Sequence, residues 1–238
     1  MHGQTPSPAP SANPALALRF RTVGFDLDGT LLESAPDIAA ALNHALRVAG
    51  LPQMPFERIR PMIGGGVRRL LVRALAEEKD ALVPADVLDA LYDELLDFYR
   101  ANLAIETRPY DGLLPVLDQL ADAGIAIGVA TNKLESLARD LLGQLGLLDR
   151  FACVIGGDTL GTERAKPAPD MLHELERLCG GGPAAFVGDS NFDIDAARAA
   201  AHPSVAVRFG YSTRPVEELG AGAVIGHFDE LIPALAKL

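Results

Sequence analysis

Apolar residues fall along the chain in two rhythms. Short, largely apolar runs with β-branched residues, such as residues 21–27 (RTVGFDL), predict strands covered on both faces. Longer stretches with apolar positions every three or four residues predict helices. The first of these runs from Pro36 to Ala49, with Ile38, Leu42, Ala45, Leu46 and Ala49 on one face. A glycine-rich loop at Gly64, Gly65 and Gly66 leads into a second helix. A third follows Pro84, with Val87, Leu88, Leu91, Leu95 and Tyr99 in phase and its acids on a solvated face.

From Tyr110 onward helix and strand alternate. Helical patterns at residues 113–124, 134–146, 169–182 and 192–201 separate strand patterns at 125–131, 151–157, 184–189 and 204–210. A short strand near Ala223 and a helix from Phe228 close the chain. This alternation predicts an α/β fold, a doubly wound, Rossmann-like parallel sheet with helices on both faces. Residues 34–107 hold no strand pattern and are expected to form an all-helical insert. The core is then residues 19–33 and 108–238, preceded by a disordered tail at 1–18 rich in Pro, Ala and Ser.

Composition excludes several classes of function. The net charge is −11 and no basic cluster occurs, so nucleic acid is not an expected partner. No apolar run approaches the roughly 20 residues of a membrane span. The N-terminus lacks the basic start and apolar core of a signal peptide. The two cysteines, Cys153 and Cys179, have no ligand-like spacing and are expected as reduced thiols in a cytoplasmic protein.

The candidate chemistry collects at strand ends, where open parallel sheets bind ligands. Asp26 and Asp28 close the first strand, directly before Gly29 and Thr30. Thr131 and Asn132 close the second, Asp189 a later one, and Lys166 lies just before a helix. Two carboxylates so close repel unless a positive charge lies between them. Asp26 and Asp189 are suited to a hard cation such as Mg²⁺, which takes oxygen ligands and pairs with phosphate. An ionised aspartate is a nucleophile at neutral pH, and attack on phosphorus yields an aspartyl-phosphate. Asp28 can then protonate the leaving oxygen and later deprotonate water. Thr131 and Lys166 would stabilise phosphoryl oxygens. Taken singly, each signal has a plainer explanation: a surface turn for the paired acids, a strand-end hydroxyl for Thr131, a solvated surface for Lys166, and a helix cap by Ser190 for GDSNFD. Their common placement and order favour a site.

With these motifs, DLDGT, Thr131, Lys166 and GDSNFD, the chain resembles the haloacid dehalogenase-like hydrolase superfamily over residues 20–238, in the branch with a helical cap after the first strand. The resemblance implies Asp26 as nucleophile and Asp28 as general acid/base. It implies Mg²⁺ held by the Asp26 side chain, the Asp28 backbone carbonyl and Asp189, with Asp193 in support. Several stretches, among them MIGGGVRRLL, TNK and KPAPDMLHE, are similar to the bacterial phosphoglycolate phosphatase branch, although related sugar-phosphate phosphatases share most of them. That branch implies a small phosphorylated metabolite as substrate; a monomer or homodimer is expected. Thr131, Asn132, Lys166, Gly65 and Arg68 would contact the substrate, Arg68 through a carboxylate. Arg68 reads equally well as an ordinary exposed helix residue. His44 and His173 are expected to be structural. The alternatives are another small sugar-phosphate phosphatase or a phosphomutase of the same fold; a dehalogenase lacks the second acid. One departure stands out: the family's usual Asn in the fourth motif is Phe192 here.

Overall fold

The computed structural model of the protein describes residues 18–79 and 84–238; the expected tail lies outside them except for Leu18. In chain order the elements are β1 (Thr22–Phe25), β2 (Leu32–Glu33), α1 (Ala35–Val48), α2 (Phe56–Ile59), α3 (Val67–Lys79) and α4 (Ala85–Ala101). Then follow β3 (Arg108–Pro109), α5 (Leu113–Asp122), β4 (Ala126–Ala130), α6 (Glu135–Gln144), β5 (Cys153–Ile155) and α7 (Asp170–Leu178). The chain ends with β6 (Ala184–Gly188), α8 (Asn191–Ala199), β7 (Ser204–Val207), β8 (Ala223–Ile225) and α9 (Leu231–Leu235).

Six strands form one parallel sheet in the order β5-β4-β1-β6-β7-β8. The chain winds outward from β1 to β4 and β5, then crosses to β6 and winds the other way. The strand order therefore reverses between β1 and β6, where such sheets open a ligand crevice. The central strands are buried along their whole length, which is why they read as continuous apolar runs. Gly24 of β1 and Gly128 of β4 let α7 lie close on the sheet. A Cβ at either position would come within 3.1 Å and 2.9 Å, respectively, of Leu175 side-chain atoms.

Between β2 and β3 every regular element among the described residues is helical. The amphipathic faces expected for α1 and α4 pack together, with Leu42, Leu46, Leu95 and Tyr99 fully buried. Truncating such a leucine, for example Leu42→Ala, costs about 2–5 kcal/mol. The sequence pattern did not reveal β2 and β3, because two-residue strands have too few positions to show a period. They pair antiparallel, Leu32 with Pro109 and Glu33 with Arg108, and clasp the two ends of the helical segment. Buried Asp37 reinforces the clasp. Its carboxylate accepts hydrogen bonds from the backbone N–H groups of Glu106 and Thr107 and from the Thr107 hydroxyl, the last at 2.7 Å.

Candidate active site

The apolar run of β1 ends at Phe25, and Asp26 continues the ladder by donating its N–H to the Val187 carbonyl at 2.9 Å. Asp26 thus emerges beside Asp189, which follows β6 across the point where the strand order reverses. Thr131 follows β4 in the same way, its N–H donating to the Ile155 carbonyl at 3.0 Å. Three strand ends deliver three polar side chains to one rim.

Carboxylate oxygens of Asp26, Asp189 and Asp193 all lie within 4.8 Å of one another, and all three residues are buried. Asp193 arrives from the first turn of α8. There it also accepts hydrogen bonds from the Ser190 N–H at 3.0 Å and the Ser190 hydroxyl at 2.6 Å, so the cap expected at Ser190 and the acidic cluster share one carboxylate. Lys166 reaches in from the loop before α7, its Nζ donating to Asp26 at 2.7 Å and to Asp193 at 2.6 Å.

Burial dominates the electrostatics of this cluster. It raises the Asp26 carboxyl to about 7, with Lys166 opposing and Asp193 adding to the rise. Asp189 is held well above the ordinary carboxylate range by burial and by the charges of Asp193 and Asp26. Burial disfavours the charged form of Lys166, but Asp193 and Asp26 more than offset it and its pKa is raised. The cluster is short of positive charge.

Asp28 stands apart from this group. Both its oxygens accept hydrogen bonds from Lys133 Nζ at 3.0 Å, and Oδ1 also accepts one from the Ser34 hydroxyl at 2.6 Å. Lys133 is itself buried and donates to the Tyr99 hydroxyl of α4 at 2.7 Å. Burial raises that phenol to about 12. For Lys133, burial works against the charge and Asp28 outweighs it, so its pKa is raised. Lys133, in the TNK stretch, does not stand out as a site residue in the sequence. The available signal was a lysine directly after a strand-end Thr-Asn pair, where a solvated surface residue is the usual reading.

Gly29 makes room for this arrangement. Its φ is +88°, in the left-handed region, and a Cβ there would come within 2.6 Å of Asp189 Oδ2. Tyr211 also went unnoticed in the sequence. Its N–H donates to Asp189 Oδ2 at 2.5 Å, and its hydroxyl accepts from the N–H groups of Ser34 and Ala35 at 2.8 Å and 3.0 Å. One residue thereby braces both an acid of the cluster and the start of α1.

The remaining candidates lie around the seam between helices and sheet. The Thr131 hydroxyl accepts from the Lys133 N–H at 3.2 Å, which leaves its proton available to donate. Asn132 Nδ2 donates to the carbonyls of Gly64 at 3.0 Å and Lys166 at 3.1 Å, bridging the glycine loop and the lysine loop. Gly65 packs against Arg69 and Phe192. Arg68 is half exposed, donates to Asp89 at 2.5 Å and lies over the Tyr92 ring. His44 stacks on Phe98 with ring centroids 4.3 Å apart, and His173 lies edge-on to His202.

A pocket of about 30 Å³ touches Asp26, Asp28, Thr131, Asn132 and Lys133, and is roofed by Ile63, Val67, Leu70 and Tyr99 from the helical segment. That volume is room for roughly one or two waters. Beside it opens a cleft of about 630 Å³ that reaches Lys166, Asn132, Arg68 and Phe192.

The sequence model of haloacid dehalogenase-like hydrolases matches residues 20–201. The chain is 42% identical over 215 residues to a phosphoglycolate phosphatase of Agrobacterium fabrum, covering 89% of this chain and 90% of that one. It is 41% identical to a phosphoglycolate phosphatase of Caulobacter vibrioides, covering 93% of both. A crystal structure of a predicted phosphoglycolate phosphatase from Haemophilus somnus 129PT superposes with a TM-score of 0.84 at 28% identity, over 91% of this chain and 98% of that one.

Proposed function

The chain belongs to the haloacid dehalogenase-like hydrolases, and from that premise we propose a phosphomonoester hydrolase that carries the phosphoryl group on Asp26 and prefers 2-phosphoglycolate. The observation that carries the reading is the convergence of Asp26, Asp189 and Asp193 on one buried point beside Lys166.

The residues present fit a divalent cation. Four carboxylates (Asp26, Asp28, Asp189, Asp193) face two ammonium groups (Lys133, Lys166), a formal deficit of two positive charges in a buried site. Oxygen donors alone suit Mg²⁺. Asp26 and Asp189 would hold it together with the Asp28 backbone carbonyl, and Asp193 would support it. When bound it supplies positive charge to phosphoryl oxygens.

The chain's own groups account for the rest. A carboxylate oxygen of Asp26 attacks phosphorus and the ester oxygen departs. Asp28 gives that oxygen a proton, then takes one from the water that hydrolyses the acyl phosphate. Lys166 and the Thr131 hydroxyl donate to phosphoryl oxygens as charge builds on them. Lys133 holds the Asp28 carboxylate in place through two hydrogen bonds.

The helical segment, residues 34–107, serves as a cap. A pocket with room for roughly one or two waters does not admit a phosphate ester, so the roof formed by Val67, Leu70 and Tyr99 lifts to let the substrate in. The preference for 2-phosphoglycolate is supported by the relatives' names and by Arg68, whose guanidinium can leave Asp89 for a substrate carboxylate. No helix among the described residues is long and apolar enough to cross a membrane, and two free thiols suit a reducing cytoplasm.

Release of inorganic phosphate from a panel of small phosphate esters, with and without Mg²⁺, tests the reading. The expected result is metal-dependent release with the highest kcat/KM on 2-phosphoglycolate. No release from any ester would overturn the activity, and full rates after EDTA treatment would overturn the metal.

A further inference from the structure

On the face of the sheet that α7 covers, two thiols face each other. Cys153 on β5 and Cys179 at the end of α7 have Sγ atoms 3.8 Å apart, and both are free. They differ in access. Cys153 is buried, its sulfur lying where a side chain at Gly128 would otherwise sit. Cys179 is partly exposed and lines a surface cleft of about 420 Å³ with Arg21, Gly124 and Gly181. After Cys179 come Gly180, Gly181 and Gly182, all at positive φ, a stretch that absorbs small backbone shifts at low cost.

We infer that Cys153 and Cys179 form a peroxide-reactive pair, with Cys179 as the attacking thiol and Cys153 as the resolving one, closing an intramolecular disulfide. The inference is independent of the hydrolase reading. In the first step the Cys179 sulfur attacks a hydroperoxide oxygen; the S–O bond forms, the O–O bond breaks, and the leaving oxygen takes up the thiol proton as water or an alcohol. In the second the Cys153 sulfur attacks the Cys179 sulfenic acid; the S–S bond forms, the S–O bond breaks, and the Cys153 proton leaves with hydroxide as water. Two thiols are oxidised by two electrons and one peroxide is reduced. The direction agrees with the thiols' chemistry. The Cys179 thiol is lowered by its hydrogen bond with Cys153, whereas that bond and burial push the Cys153 thiol up. The bond would tie the end of α7 to β5 and enclose the loop that carries Lys166.

The test treats the full-length chain with stoichiometric hydrogen peroxide, followed by non-reducing peptide mapping. Expected are a cross-linked peptide joining Cys153 and Cys179, a mass loss of about 2 Da, and recovery of both thiols with dithiothreitol. Cys153→Ser should leave a sulfenic acid at Cys179 that dimedone traps, and Cys179→Ser should leave Cys153 unreactive. Independent loss of the two thiols, reaction at Cys153 in the Cys179→Ser chain, or a disulfide only between two chains would each overturn the pairing.

Discussion

Lys133 Nζ lies 3.0 Å from both carboxylate oxygens of Asp28, and 105 residues of chain separate the two. A third contact, to the Tyr99 hydroxyl at 2.7 Å, places the ammonium group between the core and the helical roof. Lys133 is therefore a positioning residue, setting the orientation of the proposed acid/base while touching Tyr99 of the proposed cap. Lys133→Ala is expected to lower kcat about 10–100-fold, with the pH profile of kcat shifted because the orienting charge is gone. A change confined to KM, with the profile intact, would reduce Lys133 to a structural role.

Asp26→Asn keeps the shape of the site and removes the proposed nucleophile. The expected loss in kcat is at least about 10³-fold with an unchanged far-UV spectrum and no loss of thermal midpoint. The midpoint should rise in metal-free buffer, since a buried carboxyl raised to about 7 is replaced by a neutral amide. Turnover close to that of the unaltered protein would remove Asp26 from the chemistry.

The raised acids also set a pH dependence. The folded Asp26 keeps its proton up to about 7, against 3.8 for the ordinary group, so between those values the native state binds the extra proton. This group's contribution to the stability of the metal-free fold consequently falls as pH rises through that window. Cation binding needs the ionised carboxylates and releases those protons. The increase in Tm on adding Mg²⁺ is expected to be larger at about pH 8 than at about pH 5.5. A scanning fluorimetry series with an equal or smaller increase at the higher pH would contradict the assignment of these acids to the ion.

Arg68 bears on substrate choice. Arg68→Ala is expected to raise KM for 2-phosphoglycolate about tenfold while leaving p-nitrophenyl phosphate, which has no carboxylate, nearly unaffected. Steady-state kinetics on the two esters decides it, and equal losses on both would leave Arg68 paired only with Asp89.

Phe192 occupies a position where the family's fourth motif usually has Asn. Its ring packs beside the glycine loop, and the Arg69 guanidinium carbon lies 5.1 Å from the ring centroid. Phe192 thus supplies a contact between core and roof. Phe192→Ala should raise KM about two- to fivefold, the worth of an exposed cation–π contact, with Mg²⁺ affinity unchanged because Asp193 keeps its bonds to Ser190 and Lys166. Loss of Mg²⁺ affinity without a change in KM would place Phe192 in the ion site instead.

The sequence by itself determined the sheet, its helices and the strand-end addresses of Asp26, Thr131 and Asp189. Burial imposes a local period that a few neighbouring residues suffice to display, and a polar residue that ends such a run is visible without knowing its partners. Tertiary structure alone decided which charges meet. Lys166 reaches Asp26 across 140 positions of chain, and Tyr211 reaches Asp189 through a backbone N–H, a group every residue but proline possesses. Those pairings depend on loop paths and on where the helical segment folds back, and neither leaves a periodic trace. Cys153 and Cys179 likewise looked unrelated in sequence, because only the packing of α7 on β5 puts their sulfurs side by side.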